Sequence, residues 1–160
     1  METLLGIYLN DQLAMGLAWR ELARRAARNN RGTEFEVPLR ELASAIAEDV
    51  ETFRGVMLAL QVRANSVKAA FAVAAERLGR FKPNGRIASY SPLSRFWELE
   101  ALAMGIEGKK ILWTTLRDTA NLGKRLPDVD FEGLLVRADR QRSLLEPARV
   151  RAGEEAFARR

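Results

Sequence analysis

Apolar residues return every three to four positions through four long stretches of the chain, the spacing of amphipathic helices. Turn chemistry between the stretches sets their limits. The first helix is expected over about 3–28 and stops at Asn29-Asn30-Arg31-Gly32, where Asn and Gly favour a helix end. Thr33 and Glu36 have capping-box spacing, but Pro38 suits a first helical position, where its missing N–H costs nothing, so the second helix is read over 38–62. A shorter helix over about 66–78 ends at Gly79, and Lys82-Pro83-Asn84-Gly85 reads as a turn. Ser91-Pro92 supplies an N-cap and an N1 proline to a third long helix over 92–120. Beyond Gly123 and Pro127, Asp128 or Asp130 caps a fourth over 129–158, in which Pro147 removes the bond to Ser143 and is expected to introduce a kink.

The phase of each helix separates inward from outward residues. Leu39, Leu42, Ile46, Val50, Phe53, Met57 and Leu60 form one stripe on the second helix, which puts Glu41, Glu48 and Glu51 on the solvated side and Asp49 at the stripe's edge. On the first helix the stripe is Leu4, Leu5, Tyr8, Met15, Trp19, Leu22 and Ala26, with Gln12 inside it and Asp11 at its margin. The fourth helix offers Phe131, Leu134, Leu135, Ala138, Leu145 and Ala152, and the same face carries Gln141, Arg142 and Arg149. The third helix has two stripes. Leu93, Phe96, Trp97, Met104 and Ile111 make the first, with Glu100 and Glu107 on it; Leu99, Leu102, Ile106, Trp113 and Leu116 make the second. A helix apolar on two sides is buried on two sides.

A faint repeat bears on which stripe faces the core. Leu13-Ala14-Met15-Gly16-Leu17 recurs as Leu102-Ala103-Met104-Gly105-Ile106, an offset of 89 residues that also pairs Tyr8 with Trp97 and Asp11 with Glu100. This maps the first stripe of the third helix onto the core face of the first helix. The second stripe then meets either the 66–78 helix, through Val67, Phe71 and Val73, or another subunit, so a homo-oligomer is expected through Leu99, Leu102, Ile106, Trp113 and Leu116. The small residues of both segments suit close helix approach rather than a ligand-binding loop. Gly105-Ile106-Glu107-Gly108-Lys109-Lys110 fails the phosphate-loop pattern, because Ala103 and Lys110 stand at required positions.

Composition narrows the chemistry. The chain of 160 residues contains no cysteine and no histidine, which excludes disulfides, thiolate nucleophiles, Cys-bound metal, Ser-His-Asp triads and imidazole acid/base work. Carboxylates, Lys, Ser, Thr and Tyr remain, and none stands in a motif that names a reaction. The start METLLGIYLNDQL lacks a basic region ahead of its apolar residues, and no window approaches the roughly 20 apolar residues of a membrane span, so a cytoplasmic protein without a secretory leader is expected. A net charge of +5 speaks to solubility and non-specific attraction. The charge is uneven: residues 34–51 are acidic, whereas 63–95 carry Arg63, Lys68, Arg77, Arg80, Lys82, Arg86 and Arg95 against Glu76, with Phe81 and Tyr90 interleaved. That pattern admits a nucleic-acid partner.

Two helical hairpins joined by a long crossover, together with the segments YLNDQLAMG and ELARR, resemble the ferritin-like superfamily and a group of small bacterial helical-bundle proteins within it. The resemblance implies an all-α, four-helix bundle of ferritin-like topology, one domain over 1–160, with the extra short helix in the crossover between helices two and three. It also implies where a metal pair would sit: a Glu from helices one and three and a Glu-x-x-His from helices two and four. Here Glu48 and Glu51 have the spacing in helix two but point outward, and helix four offers Asp139-x-x-Arg142, whose guanidinium has no lone pair to give.

No cofactor and no di-metal site are therefore expected. In their place a core charge network is read, with Asp11, Asp49, Glu100 and Glu107 pairing with Arg142 or Arg149; the alternative is that these residues sit at bundle edges and reach water. The functional expectation is a non-catalytic bundle acting through self-association or binding of a partner or ligand. A metal enzyme using carboxylates alone and an anionic-partner protein using 63–95 are the alternatives.

Overall fold

A computed structural model describes residues 3–65 and 90–158 of the chain. Thr3 caps the first helix, α1 (Leu4–Asn29), by accepting from the Gly6 N–H at 3.1 Å. Asn30, wholly buried, ends it, and a turn with Gly32 at φ +73° leads into α2 (Glu36–Ala59). The helix starts two residues before Pro38. Thr33 and Glu36 tie the turn instead: the Phe35 N–H donates to Thr33 Oγ1 at 3.2 Å and the Gly32 N–H to Glu36 Oε2 at 2.8 Å. Pro38 then falls within the first turn, where its absent N–H still has no intrahelical partner to lose.

Ser91 and Pro92 open α3 (Pro92–Thr114) as the sequence indicates, with Ser91 Oγ accepting from the Ser94 N–H at 3.1 Å. The expected run to 120 is not one regular helix. It passes into a π-helical turn at Thr115–Thr119, and Asn121, at φ 55°, reverses the chain into a single turn, Leu122–Arg125. Asp130 caps α4 (Phe131–Phe157), which continues through Pro147; that proline is exposed, on the side where a lost backbone bond meets water. The short helix over 66–78, the turn at 82–85 and the contacts expected of Val67, Phe71 and Val73 lie outside the described residues. None of the helices described is long and apolar enough to cross a membrane.

The four long helices pack as two antiparallel hairpins, α1 with α2 and α3 with α4. Leu9 and Leu13 near the start of α1 share a core with Val56 and Met57 near the end of α2, with Trp113 at the end of α3 and with Leu116 in the π-helical turn. At the other end Asn30 meets Tyr90 and Arg95, and Arg95 pairs with Glu155 of α4 at 2.7 Å. Thus α1 and α3 run antiparallel. The chain leaves α2 beside the start of α1, where the Asn65 N–H donates to Asn10 Oδ1 at 2.8 Å, and enters α3 beside its finish.

The core falls into two apolar bodies. One gathers Leu22, Leu39, Leu42, Leu99, Leu102 and Leu145, and the other Leu13, Phe53, Trp113, Leu116, Phe131 and Leu134. This placement corrects the reading of α3. Its second stripe, Leu99, Leu102, Ile106, Trp113 and Leu116, is at most 1% exposed and faces this chain's own core, so it offers no surface to another subunit. The first stripe lies outside: Trp97, Met104 and Ile111 are substantially exposed. On α1, Leu4 and Met15 are likewise exposed while Leu9, Leu13 and Leu17 are buried. Met15, Trp97 and Met104, expected in the core, line a surface, while Tyr8, Trp19 and Phe96 pack at the core's margin and the leucines between them fill the interior.

Candidate functional site

Asp49 lies between Ile46 and Val50, Lys109 between Ile106 and Leu112, and Gln141 between Ala138 and Leu145, at the height where the two apolar bodies meet. Asp49 and Gln141 are 4% and 3% exposed; with Asn30 they are the buried polar residues among those described. The three groups form a closed set. The Lys109 ammonium donates to Asp49 Oδ2 and to Gln141 Oε1, and Gln141 Nε2 donates to the same Asp49 oxygen at 2.8 Å. Arg137 reaches Asp49 Oδ1 from α4 at 2.6 Å and also donates to Thr52 Oγ1 at 3.1 Å. Both carboxylate oxygens of Asp49 therefore face a cation or a donor, which a buried carboxylate requires. Burial holds the Lys109 pKa below that of an ordinary lysine, with Arg137 adding to the effect and Asp49 opposing it.

Beside this layer a cleft of about 370 Å³ opens between α1 and α3, at the small end of the size range of ligand pockets. Gln12, Met15, Gly16 and Trp19 form one wall, Met104, Gly105, Gly108 and Ile111 the other, and Asp49, Lys109, Phe53 and Trp113 also line it. Its position follows from the two matched segments, which face each other across it. Gly105 lets the helices approach: a Cβ there would lie 1.3 Å from the Trp19 indole nitrogen, which donates to the Ala101 carbonyl at 3.0 Å. Gly16 and Gly108 leave room instead, since a Cβ at Gly16 would make only ordinary contact with Val50 at 3.6 Å and one at Gly108 would meet nothing within 4 Å. Trp113 is 1% exposed and its indole N–H has no hydrogen-bond partner. That orphan donor belongs to a residue lining the cleft.

The charged residues singled out in the sequence divide between interior and edge. Asp49 is interior, but its cations are Lys109 and Arg137 rather than Arg142 or Arg149. Glu100 and Glu107 sit on the α3–α4 seam, partly exposed, where Arg149 meets Glu100 at 3.2 Å and Arg142 meets Glu107 at 3.6 Å. Glu146 joins both arginines, and their hydrogen bonds hold its carboxyl down to a pKa of about 2. Asp11 is exposed and belongs to neither group, because Leu13 and Leu17, not the Tyr8–Met15 side, face inward on α1. Of the basic stretch, Arg63, Tyr90 and Arg95 are described. Arg95 is committed to Asn30, Glu155 and the Phe35 ring, 4.5 Å from its guanidinium; Lys68, Arg77, Arg80, Lys82, Arg86, Glu76 and Phe81 lie outside the described residues.

Lys109 is the member of the buried layer that the sequence reading does not single out. In the sequence it stands out only as part of a failed phosphate loop. Yet Leu99, Leu102, Ile106, Lys109, Trp113 and Leu116 step by three and four, so Lys109 occupies an interior position of the second stripe. A cation at such a position, opposite an acid on the apolar stripe of α2, was the signal available. Compared with known proteins, the chain matches no family model, no curated protein sequence and no solved structure.

Proposed function

We propose that this chain is a non-catalytic helical bundle of ferritin-like topology that acts by holding a small ligand in the cleft between α1 and α3. The antiparallel course of α1 and α3 supports the topology, because a bundle with only short connections would run them parallel. The cleft carries the functional reading: an apolar enclosure of about 370 Å³, built from facing glycines, with a few polar groups converging on one side, has the composition of a ligand site.

A metal pair at mid-bundle, which the resemblance implies, does not suit the residues present. Asp49 is the single carboxylate of the buried layer, and the groups around it are an ammonium, a guanidinium and an amide. Ammonium and guanidinium offer no lone pair. Among the described residues no three acidic side chains come together as a ligand set. In this reading Lys109 supplies as a side chain the positive charge that a metal supplies in relatives.

The test is saturable binding of an uncharged apolar fluorophore, N-phenyl-1-naphthylamine, to the full chain, followed by its emission and by quenching of Trp19 and Trp113. Binding of one equivalent is expected, weakened roughly tenfold or more by Gly108→Leu, about 1.4 kcal/mol. The substitution grows a side chain from a position with open space, so the fold is retained. Absence of saturable binding, or binding indifferent to Gly108→Leu, overturns the assignment.

A further inference from the structure

Resting on the cleft as a ligand site, we infer the class of its ligand: an amphipathic anion, with an apolar body lying along Met15, Met104 and Ile111 and one carboxylate-like group directed to Lys109 and Trp113. Three observations converge on this class. The first is charge. The layer beside the cleft holds Lys109 and Arg137 against Asp49 alone, Gln141 being neutral, so one positive charge is in surplus; Arg137, a third exposed, reaches toward water, and Lys109, at 15%, is the cation that lines the cleft. A surplus charge in low dielectric favours a counter-ion far more than the same charge does at the surface.

The second is the hydrogen-bond inventory. An ammonium has three N–H donors, and Lys109 uses two, on Asp49 and Gln141. The buried indole N–H of Trp113 is unused. Both residues line the cleft, and both can only donate, so the groups left over ask for an acceptor and would reject a ligand bearing a cation. The third is the wall. Apart from Gln12, Asp49 and Lys109, every residue lining the cleft is apolar or glycine, and Met15, Met104 and Ile111 are the exposed ones at its mouth. An inorganic anion would leave this surface wet. A hydrocarbon body attached to the anionic group covers it, and methionine side chains adapt to irregular apolar shapes.

Displacement of bound N-phenyl-1-naphthylamine from the full chain by three probes of equal length, decanoate, decanol and decylamine, tests the class. Decanoate is expected to displace the dye at a concentration at least tenfold below decanol, with decylamine weakest; a hydrogen bond to a charged group, about 1.5–3 kcal/mol, is worth that factor or more. Lys109→Met is expected to bring decanoate to within about threefold of decanol, a difference under about 0.7 kcal/mol, while dye binding persists, and Lys109→Arg to keep most of the preference. Should Lys109→Met unfold, Asp49→Asn/Lys109→Met removes both charges together and carries the same expectation. Equal displacement by decanoate and decanol, or a preference that survives loss of Lys109, overturns the anion assignment while leaving the ligand site standing. Failure of the dye itself to bind removes both.

Discussion

Replacing Asp49 by leucine tests the central layer most sharply, because the side chain keeps its branching while its charge, two hydrogen bonds and the ion pair to Arg137 disappear. In the native chain Asp49, 4% exposed, answers Lys109, Gln141 and Arg137. Arg137, a third exposed, can turn to water when its partner is lost; Lys109, at 15%, cannot leave without vacating the layer. Asp49→Leu therefore strands a buried ammonium with only Gln141 as acceptor, a loss of about 3–5 kcal/mol, the usual cost of breaking one side of a buried pair. In a domain of this length that lowers Tm by about 6–20 °C, at some 2–4 °C per kcal/mol. Lys109→Met costs less, about 1–2 kcal/mol, because Asp49 keeps Arg137 and Gln141. Both changes together leave no stranded charge but take both partners from the buried Gln141 amide, so the double variant is expected to recover part of the Asp49→Leu loss and to lie about 1–3 kcal/mol below the native chain. Urea denaturation of the four proteins, compared at equal m, gives the coupling. Additive effects, or an Asp49→Leu loss under about 1 kcal/mol, would refute the closed-layer account.

Other expectations follow from individual groups. The folded Lys109 pKa lies below its unfolded value of 10.5, so between the two the unfolded chain binds more protons and stability rises with pH; this alkaline rise should be absent from Lys109→Met when the two pH profiles are subtracted. Glu146 is also shifted down, from 4.5 to about 2, so its contribution is present above pH 4.5 and lost as pH falls toward 2; Glu146→Gln should flatten that acid arm by less than about 1 kcal/mol, because the group is 39% exposed and screened by solvent. Gly105→Ala should displace the Trp19 indole and break its bond to Ala101, costing at least about 2 kcal/mol and changing Trp fluorescence, whereas Gly55→Ala, where a Cβ meets nothing, should stabilise by about 0.5–1 kcal/mol.

The sequence made helices plain wherever apolar residues formed one stripe. On α2 the expected face and the buried face agree from Leu39 to Met57, because the polar residues between them leave no second choice. On α4 Leu134, Ala138, Gln141 and Leu145 turn inward as periodicity requires. The failures came where two phases were available. On α3 both stripes are apolar, and the repeat with α1 favoured the one carrying Trp97, Met104 and Ile111, large residues that line a cleft rather than a core. The same ambiguity on α1 misplaced Asp11. Periodicity states which residues share a face, but not which of two apolar faces meets the neighbouring hairpin. The layer itself is half legible: Asp49 and Gln141 lie on or beside identified faces, and Lys109 does not, because its stripe reads as meeting the 66–78 helix or another subunit rather than α2 and α4.

The meeting of two apolar bodies at a single charged level also fixes how the hairpins are aligned lengthwise. Stripes of leucine and alanine fit one another nearly as well after sliding by a helical turn, about 5.4 Å. Such a slide would carry Asp49 past Lys109 to face Ile106 or Leu112 and expose both charges to hydrocarbon. The cost of that mismatch singles out one alignment among several that are equal in apolar contact, as a lone polar residue does in a coiled coil. The buried layer thereby acts as a vernier mark for the α1–α2 and α3–α4 hairpins, so the cleft's two walls, with Gly16 on one and Gly105 on the other, arrive opposite each other.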